Sequence, residues 1–390
     1  MKRILVLALY CVLGVSLLMA QDYSRYVDPR IGSEGLGRTF PGPCMPYGMA
    51  KPGPDAVSMP NAGWAPMPEP VKGFSQMHVS GTGGGQKYGN ILIQPFLDAG
   101  EIIQKRVDEK IALGYYACTF ENGIRTEITA SERCAFYRLD YGRKQKGKLL
   151  IDVATFLGID TIPDKRETQQ YVDSYVTCDG KYAVSGWSTV RGGWNNGGPY
   201  TVYFYLQSDT PLSNSDVPLA NGEAPLYNKV KESKTRLDVA FSKSVVNLKV
   251  GISHISIAQA RRNIPACGFD TQLKNVRKTW NGKLGKIEIA GTEKQKRMFY
   301  TALYHTMLMP VDKSGENPHF SATPYYDDYY AIWDTYRTSM PLLTLIEEPQ
   351  QRDMVNSLLN IYKYDGYMPD ARSGNWNGRT QGGSNADIVI

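Results

Sequence analysis

Three stretches of the 390-residue chain carry the residue types that chemistry needs. The first runs from Phe74 to Asn90 and holds His78 with Gly81, Gly83, Gly84 and Gly85. Glycine tolerates positive φ and lets backbone come close to a ligand. A phosphate cradle is excluded: no Lys-Ser or Lys-Thr pair follows at the required spacing, and a strand rather than a helix comes next. Two readings stay open, a tight turn between strands and a loop lying against a sugar. His78, taken alone, reads as structural.

The second stretch runs from Tyr325 to Arg337 and interleaves Tyr325, Tyr326, Tyr329, Tyr330, Trp333 and Tyr336 with Asp327, Asp328 and Asp334. Aromatic faces stack on the C–H faces of pyranose rings, and carboxylates or Arg hold hydroxyls through charge-assisted hydrogen bonds. On a helix Asp334 and Arg337, three apart, can also form an ordinary ion pair. The third stretch, Asp365 to Asp387, is dense in Gly and Asn and reads as a long loop after a helix, either lining a site or solvated. Cleaving a glycosidic bond takes two carboxyl groups, one protonated beside the leaving oxygen and one activating water or attacking carbon. This loop offers Asp365, Asp370 and Asp387 but no Glu.

These residues need elements to position them. Residues 25–60 are too rich in Gly and Pro for a regular helix. From Tyr88 onward, short β-branched and aromatic runs such as Ile91–Gln94, Tyr200–Leu206 and Val245–Ile257 alternate with turns, which indicates a β-sandwich. Trp280 to Gly285 reads as a turn. Glu293 then opens a helix whose apolar face is expected to be Met298, Phe299, Ala302, Leu303, Thr306 and Met307. Further helices are expected over 332–345 and 350–364. The fold class is therefore mixed, β then α, in four parts: a signal peptide 1–20, a β-sandwich domain 21–262, a linker 263–292 and a helical domain 293–390.

Composition narrows the function class. With 42% hydrophobic and 21% charged residues the chain is neither disordered nor membrane-saturated. Lys2 and Arg3, the apolar run Ile4 to Met19 and Ala20 form a secretory signal, so the protein is expected to be exported: periplasmic, outer-membrane-associated or extracellular. No later run reaches the ~20 residues that span a bilayer. Without Lys2 and Arg3, 42 basic residues face 38 acidic ones. That weak, scattered excess excludes a nucleic-acid footprint. Four histidines with no HxH or HExxH spacing give no local zinc site. Among the cysteines, a bridge between Cys118 and Cys134 and free buried thiols both stay open.

Four segments then resemble glycoside hydrolase family 92, exported exo-acting α-mannosidases. They are Asp28–Gly32 through Arg38–Met49, Met77–Gly83, Tyr300–Pro310, and Ile332-Trp-Asp-Thr-Tyr-Arg337. The resemblance implies that the sandwich is followed by an (α/α)6 toroid. It also implies calcium-dependent, inverting hydrolysis of terminal α-mannose on mannose-containing glycans. Trp333 and Asp334 match the family's Trp-Asp pair, which makes Asp334 the candidate ligand for sugar hydroxyls, with Trp333 and Arg337 beside it. The turn at Gly83, Gly84 and Gly85 would bring sandwich backbone into the same pocket.

Two departures qualify that expectation. Where the family carries a general-acid Glu, this loop has Gln381, and an amide cannot donate a proton as an acid does. The chain would then cleave mannose-1-phosphate linkages, whose phosphate leaves unprotonated, or recruit another acid such as Asp370. The family's base and most calcium ligands lie downstream, so the reading assigns no metal ligand to this chain. The apolar ending Ile388-Val-Ile390 is read as a cut through a helix, leaving the toroid begun and the chain inactive alone. A non-catalytic carbohydrate-binding protein of the same fold stands as the alternative.

Overall fold

The computed structural model describes residues 21–35, 37–81, 84–97, 102–143, 146–158, 167–214, 235–329, 332–378 and 385–390. The signal segment, Gly83 and Gln381 lie outside these residues. Strands come first: β1 (Gly53–Ala56), β2 (Val71–Ser75), β3 (Leu92–Phe96), β4 (Arg106–Ala112), β5 (Tyr115–Phe120), β6 (Arg125–Ala130) and β7 (Cys134–Asp140). They continue with β8 (Lys148–Asp152), β9 (Gln169–Cys178), β10 (Ala183–Gly192), β11 (Gly197–Ser208), β12 (Leu212–Asn214), β13 (Arg236–Phe241) and β14 (Val245–Ser253).

Period-two patterning sorts these strands into two sheets. In β11, Val202, Phe204 and Leu206 are buried while Thr201 and Tyr203 alternate on the other face. One sheet has the order β1-β2-β3-β8-β13-β12 and the other β4-β5-β6-β7-β14-β11-β10-β9. Phe74 of the first sheet packs on Tyr116 and Tyr137 of the second, with ring centroids 6.1 and 6.4 Å apart. That shared core makes the pair a sandwich.

Helices follow: α1 (Ile257–Arg262), α2 (Phe269–Leu284), α3 (Glu293–His305), α4 (Ile332–Thr335), α5 (Ser339–Ile346), α6 (Glu348–Asp365) and α7 (Ala386–Val389). Short hairpins β15 (Val311–Asp312) with β16 (Tyr326–Asp327) and β17 (Arg372–Ser373) with β18 (Trp376–Asn377) lie between them. None of the described helices is long and apolar enough to cross a membrane.

Several expectations need correction. Trp280 is no turn residue: it is fully buried in α2, inside the stretch expected as a linker. Its Nε1 donates to the Cys44 carbonyl at 2.7 Å, and its ring lies 4.6 Å from Tyr304. Tertiary packing of one large indole overrides the local Asn-Gly signal. Helix α3 starts at Glu293 as expected, with a capping box between Thr292 and Gln295. Of the expected face Leu303 and, just past the helix, Met307 are buried, but Tyr300, Thr301 and Tyr304 complete the buried side and Met298 is 61% exposed. The 332–345 helix is two helices, because Pro341 lacks an N–H and its ring crowds the carbonyl four residues back. Cys118 and Cys134 are both free and buried.

Helix α2 docks on the sandwich through a glycine. Gly114 has φ +70°, and a Cβ there would stand 2.0 Å from Val276 Cγ1. Gly114→Ala is expected to cost about 1–3 kcal/mol in urea denaturation, combining backbone strain with overpacking. Adding Val276→Ala to it should return part of that loss; no recovery would show that the contact is not what limits the site.

Candidate active site at the junction of sandwich and helices

Side chains from both halves of the chain meet in a buried network. Lys313 Nζ, fully buried, lies 2.8 Å from Asp327 Oδ2, 3.2 Å from Asp328 Oδ2 and 2.8 Å from Tyr88 Oη. Tyr88 comes from the sandwich, at the end of the histidine and glycine stretch. It donates to Asp328 Oδ1 at 2.6 Å and accepts from the Gly374 N–H at 3.1 Å. Arg372 of β17 pairs with Asp327 at 3.3 Å and Asp365 at 2.6 Å. Burial works against the Asp327 carboxylate, but Lys313 and Arg372 outweigh it and bring its pKa down to about 2. Burial likewise works against the Lys313 ammonium, and the two aspartates outweigh it and raise its pKa.

Backbone strain gathers at the same place. Tyr88, Asp328 and Asn375 have φ of 64°, 57° and 65°. Left-handed φ is uncommon for residues with a Cβ, and such strain concentrates where a structure fixes side chains for function. The network thus pins the β17–β18 hairpin to the sandwich. Lys87 adds a second tie: its Nζ donates to Gly192 O at 2.6 Å and Asn195 Oδ1 at 2.9 Å. Asn195 in turn donates to the carbonyls of Ser373 and Trp376. Burial pulls the Lys87 pKa down to about 7.

The sequence-chosen residues fall into groups. Trp333 and Asp334 sit exposed on α4, and Asp370 is brought to them. The Asp370 carbonyl accepts from Ile332 N at 2.9 Å, and its carboxyl accepts from Asn385 at 3.2 Å. Burial raises the Asp370 pKa, and the nearby Asp334 charge adds to that, against hydrogen bonds from Asn385 and the Trp333 backbone. Arg337 stacks over Tyr336 at 5.1 Å, and among the described residues no ion pair joins it to Asp334. Helix α4 ends at Thr335, so the three-residue spacing no longer sets their meeting.

Gly84 and Gly85 pack against Glu167. The Gly85 N–H donates to Glu167 Oε2 at 2.9 Å, and a Cβ on Gly85 would stand 2.4 Å from the Glu167 carbonyl. His78 is buried between Asp55, 2.7 Å away, and the Lys51 carbonyl, 2.7 Å away. Tyr325, Tyr326 and Tyr329 are buried, which corrects their reading as a sugar-stacking surface. Beside the hairpin lies a cleft of about 610 Å³, lined by β9–β11 residues on one side and by His319, Asp365 and Asn375–Asn377 on the other.

A calcium site is not built from these residues. Among the described residues no group of three or more His, Cys, Asp or Glu side chains could hold a metal ion. Asp327 and Asp328 already face Lys313, and Arg372 reaches Asp327 as well, so this donor set does not fit a calcium ion.

Comparison with known proteins follows the same division. The model of the glycosyl hydrolase family 92 N-terminal domain matches residues 26–253, and that of the family's catalytic domain matches residues 257–390. The chain belongs to glycosyl hydrolase family 92. The junction between the two family 92 domains falls where β14 gives way to α1, and the Lys313 network bridges it.

A protein of Arthroderma benhamiae described as an uncharacterized secreted glycosidase is 28% identical over 402 residues, covering 95% of this chain and 49% of that one. The family GH92 α-mannosidase of Bacteroides thetaiotaomicron, also solved with mannoimidazole, superposes with a TM-score of 0.77 at 23% identity, covering 95% of this chain and 54% of that one. A family GH92 inverting mannosidase from the same species gives 0.72 at 23% identity, covering 94% of this chain and 52% of that one. At such identity these likenesses establish the fold. The chain spans about half the length of the relatives it matches.

Sequence reasoning missed Lys313, Arg372 and Lys87. Each is a lone cation without motif spacing, and only the tertiary fold reveals its carboxylate or carbonyl partners.

Proposed function

We propose that this family 92 chain serves exo-hydrolysis of terminal α-mannose from glycans with inversion of configuration. The observation that carries the reading is the meeting of Asp370 with Trp333 and Asp334, where the segment before β17 returns to the start of α4. Trp333 offers an exposed aromatic face for a pyranose ring, and Asp334 an exposed carboxyl group whose oxygens can accept from its hydroxyls. Asp370, its pKa raised by burial, keeps a proton to higher pH than an ordinary carboxyl and can deliver it to the leaving oxygen. Water attacking the opposite face of the sugar would complete inversion. No base is assigned among the described residues, and no step is routed through calcium. Dependence on calcium enters the proposal only through the family resemblance, with no ligand for it among the described residues, and it predicts loss of turnover on chelation.

The secreted relative supports export, and the first residue of the mature chain, expected to be Gln21, tests it by N-terminal sequencing. Proton NMR of mannose freshly released from α-mannobiose by a protein that carries this chain within a whole family 92 catalytic domain tests the reaction. The β-anomer appears first if configuration inverts; release of the α-anomer first, or sugar binding without release, would overturn the reading. The leaving group is the finer question. With Asp370 as acid, aryl α-mannosides of poor and good leaving ability react at similar rates. A steep dependence on leaving ability would instead support an acid-less variant acting on mannose-1-phosphate linkages.

A further inference from the structure

We propose that the cleft between the β9–β11 edge and the β17–β18 hairpin is a second carbohydrate subsite, holding a pyranose ring against Trp376. Neither Trp333, Asp334 nor Asp370 lines it, so it is separate from the grouping assigned to hydrolysis. Its volume, about 610 Å³, falls in the range of roughly 300–1,000 Å³ usual for small-molecule sites.

The cleft has a prepared wall. Trp376 lies across the backbone of Gly197 and Gly198, where a Cβ on Gly198 would stand 2.7 Å from the indole Cε2 and Cζ2. Its Nε1 donates to the Pro199 carbonyl at 2.9 Å, and His319 meets it edge-on with centroids 4.7 Å apart. The indole is therefore fixed before a ligand arrives, yet remains half-buried at the cleft surface. A fixed aromatic face suits the C–H face of a pyranose.

Two buried donors beside it lack partners. The Asn375 Oδ1 accepts from Tyr325 Oη at 2.9 Å, and the Asn377 Oδ1 accepts from Arg372. Both amide oxygens are thus taken by protein donors, which fixes the amide orientation and leaves both NH2 groups. Neither Nδ2 has a hydrogen-bond partner among the described residues, although the side chains are 2% and 9% exposed and line the cleft. Native structures rarely leave such donors unsatisfied, and ligand oxygens would satisfy them. The charges across the cleft have opposite sign, with Arg191 on the sandwich side and Asp365 on the helical side. That balance suits a neutral polyhydroxylated ring better than an anion.

Isothermal titration of the full chain with α-mannobiose tests the subsite, with inorganic phosphate as the contrasting probe. Saturable binding of the disaccharide is expected, weakened about tenfold by Trp376→Ala and held within about threefold by Trp376→Phe. Asn377→Asp keeps an oxygen for Arg372 but turns the free donor into an acceptor, and should weaken binding by a similar factor without lowering the melting midpoint. Asp334→Ala should lose hydrolysis and keep this binding, which separates failure of the subsite from failure of the mannosidase reading. Unchanged affinity in Trp376→Ala, absence of saturable disaccharide binding, or phosphate that binds and displaces the sugar would each overturn the proposal.

Discussion

Replacing Lys313 by methionine is expected to lower the unfolding free energy by about 3–5 kcal/mol, the usual loss when one partner of a buried ion pair is removed. Methionine keeps the apolar stem and roughly its volume, so packing is little changed. What disappears is the cation that faces Asp327 Oδ2, Asp328 Oδ2 and Tyr88 Oη in a site with no access to water. Arg372 alone then answers Asp327, while it also holds Asp365. The double variant Lys313→Met, Asp327→Leu removes both charges and should recover much of the loss. Acid makes a second readout. The Asp327 carboxyl is held at about 2, below the ordinary value near 4. Its contribution is complete above about pH 4 and is lost as pH falls through about 2. Urea titrations between these limits should show that slope in the parent chain and a shallower one in Lys313→Met. Equal stability and equal slope would mean that the network does not hold the junction.

Most of the fold was legible because it rests on local periodicity. The strand run Tyr200–Leu206 within β11 and the helix start at Glu293 are visible in the sequence. What was hidden depends on partners far apart in the chain. Lys313 meets Asp327 fourteen residues on, and Tyr88 across 225 residues, through hairpins two residues wide that have no pattern of their own. The same distance misled the reading of Tyr325 to Tyr329. An aromatic and acidic run resembles a sugar-binding loop until a lysine and an arginine from elsewhere neutralise it and the rings become core. The resemblance supplies Trp333 and Asp334, and Asp370 is the carboxyl that could act in place of an acid at Gln381. The structure brings Asp370 to that pair, a step no spacing rule could supply.

Asp370 therefore carries the second large prediction. If it protonates the leaving oxygen, Asp370→Asn lowers kcat/KM on α-mannosides with poor leaving groups by about 10²–10⁴-fold, the usual worth of a positioned acid. Substrates whose leaving group departs as a stable anion should keep their rate within about threefold, since they need no proton. The pH profile gives the sign. A general acid works while protonated, so the rate falls as pH rises through its pKa, and burial together with Asp334 moves that fall above the ordinary carboxyl range. Asp334→Asn removes a like charge and should shift the alkaline limb to lower pH, while Asp370→Asn abolishes it. Loss of folding would not reproduce that pattern, because it would depress good and poor substrates alike. An unchanged limb in Asp370→Asn would place the proton elsewhere. A rate that tracks leaving ability in the parent chain, with no alkaline limb at all, would mean that the bond cleaved is one whose leaving group never needed protonation.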